Sequence, residues 1–261
     1  MAQARNPTET VPASTTGETA GPRPRLLIIV PAYNEQAAIE QVITAAREHC
    51  PFADIVVVND GSTDNTGKRA RAQRAKVLDV PINVGIGGAV QCGFKYAVAQ
   101  DYDIAVQIDG DGQHDPRYVQ ALVDRLLGAD ADMVIGSRFL SAGGFRSTAA
   151  RRVAIRLLRW LIAGLSGQYV SDPTSGMRAY SRATMQALAS YYPQEYPEPE
   201  CAFMLIRRGY LVAEVPVAMH ERRGGKSSIS PLASVLYTVK VAVAIGLHMI
   251  SRRLAPKECS R

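Results

Sequence analysis

The chain has 261 residues, a formal net charge of +6 and four cysteines, Cys50, Cys92, Cys201 and Cys259, with no C-x-x-C pair. Hydrophobic residues make up 47% and charged residues 21%, which excludes collagen, a fully disordered chain and a disulfide scaffold, and the cysteine spacing leaves a reducing compartment as the default. Residues 1–137 hold 12 basic and 17 acidic side chains, a net of −5, whereas 138–261 hold 18 and 7, a net of +11; an acidic front suits a cation-assisted site and a basic rear suits phosphate, nucleic acid or a membrane surface.

Residues 1–24 are rich in Thr, Ala, Pro and Glu and read as a disordered leader without a signal-peptide core. Order is expected from Arg25. The apolar run 26–30 predicts a buried strand, and 35–49 has helical spacing. Strands follow at 55–58, 77–80, 104–108 and 133–136. Between them lie helices at 64–74, 86–99 and 116–127, the last opened by Pro116. This alternation predicts βαβ units and a mostly parallel sheet, which binds ligands at the carboxyl ends of its strands. Beyond 138 the spacing predicts helices at 149–165, 181–190 and 200–209, strands near 176–180 and at 211–217, and an apolar helix over 231–251.

Three polar clusters fall at the expected binding edge. Strand one ends in Pro31-Ala32-Tyr33-Asn34-Glu35, strand two in Asn59-Asp60-Gly61-Ser62-Thr63-Asp64, and strand four in Asp109-Gly110-Asp111-Gly112-Gln113-His114-Asp115. Glu35, Asp60, Asp109 and Asp111 at one rim call for a counter-charge, and oxygen ligands suit Mg²⁺ or Mn²⁺. Asp64 is expected to cap the helix that follows it. An EF-hand reading of 109–120 fails, because its sixth and twelfth positions are His114 and Gln120. Gly85-Ile86-Gly87-Gly88 is expected to let a helix start close to the sheet rather than to bind phosphate, and there is no Walker A sequence.

Taken in order and spacing, VPAYNE (30–35), VNDGSTDNT (58–66), NVGIGGAVQCGF (83–94), QIDGDGQHDP (107–116), GSRF (136–139) and SGMRAYSR (175–182) resemble the family 2 glycosyltransferases of GT-A fold over about 25–228. Gln113, GSRF and the loop Arg222-Arg223-Gly224-Gly225-Lys226-Ser227-Ser228 narrow the resemblance to the polyprenyl-phosphate glycosyltransferases, which include dolichyl-phosphate mannose synthases. The resemblance implies an α/β GT-A domain over 25–230; beyond it, 231–261 is expected from its apolar stripe and basic residues to be an interfacial amphipathic helix and basic tail, with an ordinary core helix as the other reading of that spacing. The resemblance further implies inverting transfer of a hexose from a UDP- or GDP-linked sugar to a polyprenyl phosphate at the cytoplasmic membrane face.

The resemblance also assigns roles. Pro31, Ala32, Tyr33, Glu35, Asp60, Asp109, Gly110 and Asp111 would bind the nucleotide sugar. Asp109, Asp111 and Gln113 would hold Mg²⁺ or Mn²⁺, and Arg138, Arg152, Arg222 and Lys226 the acceptor phosphate. Ser228 stands where some relatives carry a basic residue. Asp109, Asp111 and Arg138 are the expected catalytic set. Glu198 and Glu200 are candidates for positioning or for a base, and His114, His220 and His248 are expected to be structural. The other readings are the same fold acting on a sugar hydroxyl and a catalytically silent sugar-nucleotide binder, which the Asp109/Asp111/Gln113 set argues against.

In the tail, the uncharged runs 227–239 and 241–251 fall short of a span, and Leu232, Val235, Leu236, Val239, Val243, Gly246, Leu247 and Ile250 form one stripe followed by Arg252, Arg253 and Lys257. A separate small membrane subunit is the expected source of any spanning helices. Nucleic acid is not an expected partner, since no such motif is present and aromatics are few.

Overall fold

The structure is a computed structural model that describes residues 23–128, 131–140, 149–220 and 240–246. Seven strands form one sheet: β1 (Leu26–Ala32), β2 (Ala53–Asp60), β3 (Lys76–Val80), β4 (Ile104–Gln107), β5 (Met133–Ser137), β6 (Arg178–Ser181) and β7 (Val212–Pro216). Their order is β3-β2-β1-β4-β6-β5-β7, and every pairing is parallel except those of β6 with β4 and β5.

The continuous apolar runs follow from burial on both sheet faces. Along β1, Leu26, Ile28, Val30 and Ala32 face a core built with α1 (Ile39–His49), α2 (Thr66–Ala72) and α4 (Val119–Gly128). Leu27 and Ile29 alternate to the opposite face, under α3 (Gly85–Ala99), α5 (Ala149–Ser166), α6 (Arg182–Ser190) and α7 (Pro197–Arg207). Phe94 of α3 meets the rings of Tyr180 and Tyr192 edge-on at 4.8 and 5.4 Å, anchoring that layer to β6.

Element positions agree with the sequence reading, with three corrections. First, α1 starts at Ile39, because residues 35–38 form a turn in which Glu35 O accepts the N–H groups of Ala38 and Ile39. Second, α7 starts at Pro197 rather than at 200, since proline is compatible with a first helical turn that lacks N–H partners anyway. Third, the close approach at Gly87 is to another loop and not to the sheet: a Cβ there would stand 2.5 Å from Pro193 O.

Strand direction decides what reaches the binding edge. Gln107 of β4 and Ile135 of β5 both pair with Arg178, the first residue of antiparallel β6. The loop entering β6 therefore lies at the carboxyl ends of β4 and β5. Ser137 pairs with Pro216 in parallel β7, so residues 217–220 leave the sheet at the same edge. The expected tail helix lies outside the described residues except for 240–246. There Val241 and Ile245 are buried in the core cluster, while the stripe residues Val243 and Gly246 are exposed.

Candidate active site

The loops after β1 and β2 are joined by side chains acting on backbone. Asn34 N–H donates to Ser62 Oγ at 3.0 Å, Thr63 N–H to Asn34 Oδ1 at 2.9 Å, and Glu35 N–H to Thr66 Oγ1 at 2.8 Å. Asn34 holds a left-handed φ of 55°, which asparagine tolerates better than most residues. Asp64 accepts from Thr66 N–H and from Gln36 N–H, so it supports the start of α2, as expected, and also pins the β1 loop. Burial opposes its charge, but the hydrogen bonds from Thr66 and Gln36 outweigh it and hold the carboxyl below the usual range.

Between these loops and β4 lies a cavity of about 330 Å³. Pro31, Ala32, Tyr33, Glu35, Asp60, Asp109, Gly110 and Asp111, the whole set expected at the nucleotide, line it together. Asn83, Gly85, Ile86 and Ala89 complete the wall, a contribution from the start of α3 that the sequence reading missed. The signal was present in NVGIGGA, but only the fold brings that turn opposite Tyr33. Asp60 is buried and its Oδ1 accepts the Val84 N–H at 2.8 Å, so part of its function is to hold this wall in place.

The acidic turn is set by its own residues and by two returning loops. Asp111 Oδ1 accepts Gln113 N–H at 3.0 Å. Asp109 N–H donates to His114 Nδ1 at 2.9 Å, which fixes the His114 proton on Nε2, 3.7 Å from Asp109 Oδ2. His114 is buried, and burial pushes its pKa down to about 4, so it is neutral. Gly176 closes against this pair: a Cβ there would meet Asp109 Oδ2 at 3.0 Å and His114 Cε1 at 3.2 Å. On the other side, His220 N–H donates to Gln113 O at 2.9 Å and its ring contacts Asp115 Oδ2 at 3.1 Å. Both histidines make contacts that brace the turn; His248 lies outside the described residues.

A hard divalent cation fits this donor set. Two carboxylates on alternate residues, Asp109 and Asp111, line the cavity, whereas Gln113, expected as a third ligand, is not among its lining residues and has its amide nitrogen 3.5 Å from His220 O. No cluster of three or more His, Cys, Asp or Glu is present among the described residues. Mg²⁺ needs none, since it is commonly held by one or two carboxylates plus substrate phosphates.

Arg138 is not a bare cation. It is buried, and its Nε and Nη2 form a bidentate pair with Asp172 at 2.6 and 2.7 Å; Nη2 also donates to Thr174 Oγ1 at 2.8 Å. Asp172 and Ser171 are in turn held by Glu214 of β7, which accepts their N–H groups at 2.9 and 2.8 Å and the Ser171 hydroxyl at 2.9 Å. Asp172, Thr174 and Glu214 were absent from the sequence reading. The loop that holds Asp172, and through it Arg138, also carries Gly176 against Asp109 and His114, so one loop links the arginine to the acidic turn.

The two glutamates separate. Glu200 is buried and accepts the Tyr196 N–H at 3.2 Å, capping α7. Glu198 is half-buried; burial raises its pKa and Asp109 adds to the rise, against the opposing pull of Arg178 and Arg138. Arg152 is exposed on α5. Arg222, Lys226 and Ser228 lie outside the described residues.

The profile of Glycosyl transferase family 2 matches residues 27–188. Polyprenol monophosphomannose synthase of Mycolicibacterium smegmatis is 32% identical over 222 residues, covering 81% of this chain and 83% of that protein. Undecaprenyl-phosphate mannosyltransferase of Micrococcus luteus is 32% identical over 220 residues, covering 79% and 88%. Among solved structures, glucosyl-3-phosphoglycerate synthase from Mycobacterium tuberculosis, in complex with Mn²⁺, UDP and glucosyl-3-phosphoglycerate, superposes with a TM-score of 0.66 at 27% identity over 92% of this chain and 85% of that one.

Proposed function

The chain belongs to glycosyl transferase family 2, and from that premise we propose that it transfers a hexose from a nucleotide diphosphate sugar to a polyprenyl phosphate, with inversion, at the cytoplasmic face of a membrane. The observation that carries the reading is a cavity that has Asp109 and Asp111 in its wall with the loops after β1 and β2, and against whose acidic turn the loop entering β6, which holds Arg138 through Asp172, packs at Gly176.

The cavity walls would seat the nucleotide, with Tyr33 and Ile86 as apolar surfaces and Asp60 and Asn83 as polar ones. Asp109 and Asp111, with Gln113, would hold Mg²⁺ or Mn²⁺. Such an ion, when bound, neutralises the charge that grows on a departing diphosphate. His114 and Gly176 keep the Asp109 carboxylate aimed at the cavity. The acceptor needs positive charge to lie near an anionic donor. Arg138 would supply it from a fixed position, Arg152 from α5, and Arg222 and Lys226 from the basic loop. A lipid monophosphate brings its own ionised oxygen, with a second pKa of about 6, so it needs no general base. The names of the two relatives, both transferases to polyprenyl phosphates, support this acceptor class.

A second reading, transfer to a sugar hydroxyl, is favoured by Glu198. Burial raises the Glu198 carboxyl's pKa, and a carboxyl so shifted is suited to take a hydroxyl proton. One experiment separates them: the protein, Mn²⁺, a polyprenyl phosphate and a panel of nucleotide sugars, with the product identified by mass. An acid-labile, alkali-stable hexosyl phosphate lipid is expected. Turnover only with hydroxyl acceptors would overturn the first reading.

A further inference from the structure

Arg178, the first residue of β6, is fully buried. Its backbone is fixed from both sides, by Gln107 of β4 and Ile135 of β5. Its side chain turns back along the loop that precedes it. Nε donates to Ser175 O at 2.8 Å and Nη2 to Pro173 O at 2.9 Å, while Nη1 faces Met133 Sδ at 4.0 Å. Both short partners are main-chain carbonyls rather than carboxylates. A charge kept from water is costly, and a single carbonyl could be met by a neutral donor at far lower cost. What a guanidinium adds is a rigid planar fork that fixes two acceptors at once.

The residues beside those two carbonyls are the ones that reach the site. Asp172 and Thr174 accept from the Arg138 guanidinium at 2.6 and 2.8 Å, and Gly176 packs on Asp109 and His114. Ser175 N–H donates to Asp172 O at 3.3 Å, which closes the loop into a turn. We propose that Arg178 is a positioning residue for the transfer reaction: by clamping Pro173 and Ser175 it sets the shape of the loop that spaces Arg138 from Asp109. The inference rests on the reading of Asp109 and Asp111 as the metal-holding turn and of Arg138 as the charge that meets the acceptor. It adds a residue outside the cavity wall that acts on both. Asp172 bears on Arg138 and Gly176 on Asp109, whereas Arg178 bears on the two together, so a joint change is its signature.

Arg178→Lys tests this on the full chain. The ammonium keeps the charge but lacks the planar fork. Mn²⁺ binding is read from the electron paramagnetic resonance signal of the free ion, with UDP or GDP present, and the KM for polyprenyl phosphate is read from turnover. An unchanged circular dichroism spectrum is expected, with Mn²⁺ affinity weakened and acceptor KM raised, each about tenfold. Amide hydrogen exchange at 172–176 should quicken. Leu188→Ala, which opens a cavity under α6, is the control: it should lower the denaturation midpoint and leave both constants unchanged. A folded Arg178→Lys in which neither constant moved, only one moved, or the changes were no larger than the control's would overturn the proposal. If Arg178→Lys does not fold, Arg178→Met, which keeps an unbranched stem without donors, is measured in its place. If neither folds, Arg178 is a requirement of the fold and the proposal falls. The premises fail separately, in the wild type: no Mn²⁺ binding with either nucleotide would remove the metal reading, and no transfer to polyprenyl phosphate would remove the acceptor reading.

Discussion

The two sides of the site that the proposed function assigns to donor and acceptor are built in different ways. The donor side rises from parallel strands β1, β2 and β4, and its loops are held by hydrogen bonds between neighbouring motifs, such as Asn34 with Thr63 and Gln36 with Asp64. The side assigned to the acceptor hangs on the buried Arg138–Asp172 ion pair, with half-buried Glu214 accepting the Asp172 N–H, assembled from β7, the loop before β6 and the end of β5. Loss of one partner should therefore act differently on the two sides: a loosened loop on the first, an orphaned buried charge on the second.

The largest effect tests that contrast directly. Asp172→Ala leaves Arg138 buried without its bidentate partner and should cost about 3–5 kcal/mol of folding stability, read as a lowered denaturation midpoint. A change under 1 kcal/mol would mean that Arg138 reaches water or another anion. Next, Asp109→Ala or Asp111→Ala should raise the barrier by about 3–4 kcal/mol, a loss of several hundred-fold in kcat with the fold retained. Unfolding of these variants would instead make the turn a structural element. Gly176→Ala should cost about 1–3 kcal/mol through overpacking on Asp109 and His114, and should raise the Mn²⁺ concentration needed for half-maximal turnover. Unchanged metal dependence would separate Gly176 from the acidic turn.

Asp64→Ala should cost about 1–2 kcal/mol at neutral pH, since it strands the N–H groups of Thr66 and Gln36. The folded pKa of Asp64 is lowered, so its stabilisation is present above the unfolded value of about 3.9 and fades as pH falls below it. The gap between wild type and variant should narrow in acid, and a gap that widened would reverse the sign assigned to Asp64. The smallest expected effect is that of Glu198→Gln: no change in kcat with a phosphate acceptor, because that nucleophile needs no base. A tenfold or greater loss with that acceptor would mean that Glu198 takes part in phosphate transfer after all, whereas a loss confined to hydroxyl acceptors would favour the hydroxyl reading.

The donor half was legible because its residues are consecutive in sequence. A buried parallel strand followed at once by a polar cluster must present that cluster at the carboxyl edge, so Tyr33, Asp60, Asp109 and Asp111 could be grouped before any coordinates. Asn83 and Ile86 were harder, since they belong to the turn after β3 and reach the cavity only because α3 crosses back over β1 and β2.

What the sequence determined by itself was the order of strands and helices, the acidic turn behind β4 and the family to which they belong. Only the tertiary structure decided the reversed direction of β6, which carries Asp172 and Gly176 to the rim, and the pairing that turns Arg138 into a fixed charge. The physical reason is common to both. Alternation and helical spacing are local and survive in a string of letters, whereas the direction of a strand and the partner of a buried charge depend on which distant segment packs against them.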